Sequence, residues 1–151
     1  ATKTLHFKDG YIRSGDIGYL DNENNLFIVD RAKNVIIRAG RNISPREIEE
    51  IADTIPDVRT SAVFGVDENS IDGERIHLVV EVNSLNRNLK NILVSLPGKI
   101  MEKVYQVLGY KPDHIHIVKQ KTIPRTYNGK IKYPELKYLF LTDKMAERVL
   151  N

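Results

Sequence analysis

The chain has 151 residues, 41% hydrophobic and 28% charged, which suits one packed domain and argues against a disordered chain. Its 23 basic and 20 acidic residues give a net charge of +3, interspersed rather than segregated as in dedicated nucleic-acid binders. Cysteine is absent, which excludes disulfides and thiolate metal sites, and no apolar run reaches the length of a membrane span. No signal-type start is present and the first residue is Ala, so the expectation is a cytoplasmic protein, processed or part of a longer one.

In chain order, YIRSGDIGYL and NLFIVDR are β-type runs around the polar cluster DNENN, predicting a hairpin from about Tyr11 to Arg31. NVIIRAG is a third apolar run, ended by Gly40. In NISPREIEEIADTI, Ser44 is an N-cap, Pro45 takes the first helical position and Glu47 completes a capping box. Ile48, Ile51, Ala52 and Ile55 share one face, and Pro56 ends the helix. VRTSAVFGV and RIHLVVEV predict two strands around the loop DENSIDGE. The nearly continuous apolar middle of the second predicts a strand covered on both faces. Helical spacing then runs from NLKNILVSL through GKIMEKVYQVL, where Pro97 and Gly98 predict a kink or two consecutive helices and Gly109 a stop. HIHIVKQ is a last strand, and YPELKYLFL a short helix starting at Pro134. The order predicts an α/β (α+β) fold, a small mostly antiparallel sheet flanked by helices.

No phosphate-binding glycine loop and no serine elbow is present, so no self-contained catalytic centre is evident. His114 and His116 alternate along a strand with no third ligand apparent beside them, so they read as ordinary strand residues and no metal site is expected. Three polar devices remain. Asp16, in RSGDIG, is placed to accept hydrogen bonds from vicinal hydroxyls or, equally, to bond its own turn. Arg31 and Lys33, in DRAKN, are an anion clamp or a solvated connector. Lys130 follows the hairpin-turn signal Asn128-Gly129 in IPRTYNGKIK, as a cation on a rigid tip or as a decorated turn.

Taken in this order, YIRSGDIGYLDNENNLFIVDRAKNVIIRAGRNISPREIEE followed some eighty residues later by IPRTYNGKIK resembles the C-terminal end of the adenylate-forming superfamily. That superfamily includes acyl-CoA synthetases, fatty acyl-AMP ligases, peptide-synthetase adenylation domains and firefly luciferase. The resemblance covers about Gly10 to Leu139. It implies that residues 1–33 are the last strands of a large N-terminal domain plus a hinge, and that 34–151 form the small C-terminal domain. It implies an acyl-activating ligase, converting carboxylate and ATP to acyl-AMP and pyrophosphate and then passing the acyl group to a thiol. By resemblance, Asp16 and Arg31 would bind the nucleotide, Lys33 would be the hinge, Gly40 would border the tunnel for the thiol acceptor, and Lys130 would be the catalytic lysine. ATP with Mg would be held mainly by the N-terminal domain of the same protein. The acceptor would be coenzyme A or the phosphopantetheine of a carrier protein, and the substrate a carboxylic, most simply a fatty, acid. The isolated chain is expected to be inactive alone.

The sequence departs from the family in three places. Asp30 stands where glycine commonly precedes the hinge Arg, Tyr127 replaces a small residue, and Lys132 stands where Arg often follows the catalytic lysine. GRNISPREIE and VLGYKPDHIHIVKQKTIPRT look closer to fatty acyl-AMP ligases, whose acceptor is typically a carrier protein. The rival expectation is a free-standing, non-catalytic α/β binding module. Its basic residues around the last strand (Lys119, Lys121, Arg125, Lys130, Lys132, Lys137) suit nucleic acid, but the sparse aromatics there argue against base stacking.

Overall fold

A computed structural model describes residues 10–11, 13–83 and 89–150. Asn88, expected at the start of the long helix, and residues 1–9 of the expected first unit lie outside the described residues.

The first element is the expected hairpin, β1 (Asp16–Leu20) with β2 (Leu26–Arg31), paired antiparallel with Asp16 opposite Arg31. Asp21 shapes the turn, its carboxylate accepting from the Glu23 and Asn25 amides, both at 2.8 Å. The third apolar run supplies β3 (Ile36–Arg38), and past its closing Gly40 the unexpected β4 (Arg41–Ile43) turns back to make a second small hairpin. Ala39 and Gly40 both take positive φ, 47° and 72°, the conformation that a two-residue hairpin turn needs at its two central positions.

Helix α1 (Pro45–Asp53) starts with Pro at its first turn as expected, but the capping box does not form. The Ser44 hydroxyl donates instead to Asp30 Oδ2 at 3.1 Å. Strands β5 (Val58–Val66) and β6 (Arg75–Val82) pair antiparallel. Helix α2 (Leu89–Leu108) runs through Pro97 as one element rather than two. Its buried residues Ile92, Leu96, Ile100 and Val104 lie on both sides of the proline, so packing against the sheet carries the helix across one lost hydrogen bond. The chain then enters β7 (His114–Val118), which pairs parallel to β6, a pairing that requires a crossover such as α2 provides. Helix α3 (Tyr133–Leu141) and a 3-10 turn at Ala146–Arg148 close the described chain.

The sheet order is β5-β6-β7, and both faces are covered. On one face Ile76, Leu78, Val80 and Ile117 pack with Ile48 and Ala52 of α1 and with Leu96 and Ile100 of α2. On the other, Ala62, Phe64, Val79 and Val118 pack with Leu136 of α3, Ile123 and Met145. The two-sided burial of β6 accounts for its near-continuous apolar run. The architecture is mixed α/β with small, mostly antiparallel sheets. None of the described helices is long and apolar enough to cross a membrane.

Candidate functional site

Lys130 sits on a loop braced at its base, its middle and its tip. The Lys132 amide donates to Pro124 O at 2.9 Å, the Thr126 amide to Lys130 O at 2.8 Å and the Gly129 amide to Thr126 O at 2.9 Å. The Lys130 amide donates to Thr126 Oγ1 at 3.0 Å, and the Thr126 and Asn128 side chains bond each other. Gly129 alone in this turn takes a positive φ, 85°, so the turn is centred on Tyr127 and Asn128, one residue earlier than the Asn-Gly signal suggests. The Arg125 guanidinium ties the tip to the sheet, donating to Gly129 O at 2.7 Å and to Thr60 Oγ1 of β5 at 2.6 Å. The bonds of Lys130 among the described residues run through its backbone, and the residue is exposed. Among the described residues no side-chain partner holds its ammonium.

This loop forms one wall of an open groove of about 610 Å³, whose lining includes Arg31, Lys33, Arg125 and Lys130. No carboxylate is among the lining residues, so the groove favours an anion. Three of the expected site residues, Arg31, Lys33 and Lys130, therefore meet at one place. Asp16 joins them indirectly: Arg31 Nε lies 2.8 Å from Asp16 Oδ1, and Arg31 Nη1 donates to Ser14 O at 3.3 Å. The two nucleotide-site candidates thus orient each other across the hairpin.

Asp30 has a definite job in place of the glycine. Its Oδ1 accepts from the Arg31 amide at 2.6 Å and from Asn34 Nδ2 at 3.4 Å, while Oδ2 accepts from Ser44. The carboxylate thereby links the segment around Lys33 to the start of α1.

Gly40 is not in the groove. It sits at the exposed tip of the β3–β4 turn, where an added Cβ would meet nothing within 4 Å. The turn is held from behind. Arg38 forms a two-pronged pair with Asp113 at 2.8 and 3.0 Å, and the Ala39 amide donates to Asp72 O at 2.6 Å. Beside it is a hollow of about 350 Å³ lined by Arg38, Ala39, Arg41, Ile43 and Tyr110. The Tyr110 hydroxyl is buried without a partner among the described residues, and burial pushes it up to about 12.

Glu49 escaped the sequence reading. It is 8% exposed and accepts from the Val63 amide at 2.7 Å and from the Tyr133 hydroxyl at 2.9 Å. Burial pushes its carboxyl up to about 7, against the opposing pull of those two donors. Tyr133 is raised as well, by burial and then by the neighbouring Glu49. The pair pins the first turn of α3, three residues after Lys130, to α1. The signal available in the sequence was only an acidic residue next to Ile48 on an otherwise apolar helix face.

The expectation that His114 and His116 lack a further ligand nearby does not hold. Parallel pairing sets His77 opposite His114, and His77 Nδ1 lies 3.1 Å from His116 Nε2. Glu68, from the β5–β6 loop, places Oε1 at 3.1 Å from His77 Nε2. Burial, followed by the adjacent imidazoles, lowers His77 to about 4, and burial lowers His116. Sequence alternation placed the two β7 histidines on one face but gave no sign that β6 would pair beside them.

Fold and site together define a small mixed α/β domain with a cation-lined groove. The family profile for the AMP-binding enzyme C-terminal domain matches residues 47–130, more than half of the chain. The chain belongs to that family, the C-terminal domain of the adenylate-forming ligases. It is 32% identical over 87% of its length to a 2-succinylbenzoate–CoA ligase of Listeria monocytogenes, covering 26% of that protein. It is 34% identical over 86% of its length to a long-chain-fatty-acid–CoA ligase of Yersinia pestis, covering 22% of it. Among solved structures, ATP-bound MatB from Rhodopseudomonas palustris is 26% identical at a TM-score of 0.74, with 92% of this chain and 26% of that one covered. McyG A-PCP complexed with phenylalanyl-adenylate is 26% identical at a TM-score of 0.77, with 93% of this chain and 22% of that one covered. The chain spans about a quarter of the length of these relatives.

Proposed function

We propose that this chain is the mobile C-terminal part of an acyl-activating ligase and that Lys130 is the cation it delivers to the adenylation step. In that step a carboxylate oxygen attacks the α-phosphorus of ATP, the bond to the pyrophosphate oxygen breaks, and acyl-AMP and pyrophosphate form. Negative charge gathers on oxygens around the α-phosphorus, and a positioned ammonium stabilises it. In the second step a thiol sulfur attacks the acyl carbon, AMP leaves, and the thiol proton is lost to solvent or base.

The observation that carries the proposal is a cation with no ion-pair partner among the described residues, on a tip braced by Arg125, Thr126 and Gly129. It shares a carboxylate-free groove with Arg31 and Lys33. In this reading Asp16 accepts from the ribose hydroxyls, Arg31 contacts the nucleotide beside it, and the chain rotates about Lys33. The β1–β2 hairpin supports a boundary there. It exposes Ile17, Tyr19, Leu20, Leu26, Phe27 and Ile28, and a lone two-stranded hairpin is marginal in water. Residues up to 33 then belong with the large N-terminal domain and residues from 34 with the small one. The acid pocket, Mg and most of the ATP site lie in that large domain.

Gly40 takes the second step. Its exposed turn and the adjacent hollow suit the approach of a pantetheine arm to backbone without a side chain in the way. The named CoA ligases among its relatives favour coenzyme A as acceptor and a carboxylic acid, such as a fatty acid, as substrate. The A-PCP neighbour keeps the phosphopantetheine of a carrier protein as the alternative. In the ligase that carries this chain, Lys130→Ala is expected to lower acyl-adenylate formation by roughly 100-fold to 1,000-fold, measured as ATP–pyrophosphate exchange. Retention of full exchange would remove Lys130 from the mechanism.

A further inference from the structure

At one end of the β5-β6-β7 sheet, on the face that packs against α3, three imidazoles and a carboxylate converge. None of them lines the Lys130 groove. The ligand atoms of Glu68, His77 and His114 all lie within 4.8 Å of one another. Glu68 Oε1 is 3.1 Å from His77 Nε2, and Glu68 Oε2 is 4.0 Å from His114 Nε2. Ligands bound to a common tetrahedral zinc at ordinary bond lengths sit about 3.4 Å apart, so small side-chain rotations close the set.

The rest of the cluster resembles the surroundings of a metal ligand. His77 is 2% exposed and held between rings, stacked on Phe64 at 5.7 Å and tilted against Phe140 at 4.7 Å. Its other nitrogen, Nδ1, meets His116 Nε2 at 3.1 Å, which leaves Nε2 as the free ligand atom once His77 Nδ1 is the donor. Glu68 and His114 are half exposed, at 42% and 47%, so an ion has a way in and an open coordination position remains for water.

We propose that Glu68, His77 and His114 form a binding site for a divalent transition-metal ion of the zinc class, with His116 orienting His77 from behind. Two imidazoles and one carboxylate suit zinc and its neighbours rather than magnesium or calcium, which take oxygen ligands. A bound ion would clip the β5–β6 loop to the sheet. That loop also backs the Gly40 turn, since Asp72 O accepts from the Ala39 amide and the Glu74 amide donates to Ile37 O at 2.9 Å. The site is therefore structural, a clip that stiffens the support of this turn.

The test is titration of the chain with Co²⁺, reading its visible d–d absorption, followed by displacement with Zn²⁺. The expected result is one ion per chain with the intense bands of a tetrahedral site, and a zinc-dependent rise in melting temperature. Glu68→Gln and His114→Gln are each expected to weaken binding at least tenfold, and the double variant to abolish both the bands and the thermal shift. His116→Ala is expected to weaken binding by roughly 10- to 100-fold at unchanged stoichiometry. The two substituted ligands are half exposed, and circular dichroism checks that their variants fold. Absence of stoichiometric cobalt bands in the unaltered chain would overturn the site, as would a double variant that binds as tightly as the parent. Unchanged affinity in His116→Ala would overturn the orienting role.

Discussion

Glu49 and Lys130 show opposite uses of a charged side chain. Glu49 is buried and its carboxyl is pushed from 4.5 up to about 7, so the folded state holds a proton that the unfolded chain releases. Its contribution to stability is present in full below about 4.5 and is lost as pH rises to about 7. Glu49→Gln keeps an acceptor for Val63 and Tyr133 and has no proton to lose. The difference in unfolding free energy between Glu49→Gln and the parent is expected to move in favour of the variant between pH 5 and 7.5, by roughly 2 kcal/mol. Urea unfolding at several pH values measures it, and a difference independent of pH would contradict the burial argument. The turn that carries Lys130 was legible in the sequence because its motif sets both the turn and the charge. Glu49 was not, because its burial depends on a backbone amide of β5 that no local pattern announces. Asp30 was visible as a departure, but its bond to Ser44 emerges only when the end of β2 and the α1 start are brought together.

The loop of residues 124–132 and the β3–β4 hairpin are where local signals met tertiary structure. Asn128-Gly129 announced a turn, and the turn is there, shifted by one residue because Thr126 supplies both its closing carbonyl and a side-chain acceptor for Lys130. Arg125 read only as basic surface, yet it joins the tip to Thr60. Arg125→Ala is expected to speed hydrogen exchange of the Gly129 and Lys130 amides by about tenfold, the equivalent of about 1.4 kcal/mol of local opening. An unchanged exchange rate would mean that the tip is held by its backbone bonds alone. The β3–β4 hairpin was not announced, because its turn residue Ala39 is an uncommon choice for positive φ and β4 lies beyond the apolar run that Gly40 ends. Of the two outcomes Pro97 suggested, separate helices did not form: an apolar stripe continuous across it outweighed one missing amide.

For the molecule as a whole, the two-sided sheet and the order of elements apart from β4 were readable from hydrophobic period and turn residues, while the parallel β6–β7 partnership was not. That pairing assembles the histidine cluster, and no stretch of sequence contains it. The exposed hairpin bears on the chain as a separate object. Replacing Leu26 and Phe27 by Ser is expected to reduce self-association of the isolated chain in sedimentation experiments, because among the described residues both side chains stand exposed on a sheet of only two strands. The same chain alone is expected to catalyse no ATP–pyrophosphate exchange, and exchange by it would contradict the division of labour with an N-terminal domain.

In the proposed mechanism one small domain serves two chemical steps with two different edges, the Lys130 tip and the Gly40 turn. Single-turnover measurement of both half-reactions in the intact ligase tests it most directly, with acyl-AMP supplied for the second. Lys130→Ala is expected to cripple adenylation and to leave thioester formation within a few-fold of the parent, while Gly40→Leu does the reverse. Equal losses in both steps for either variant would contradict it.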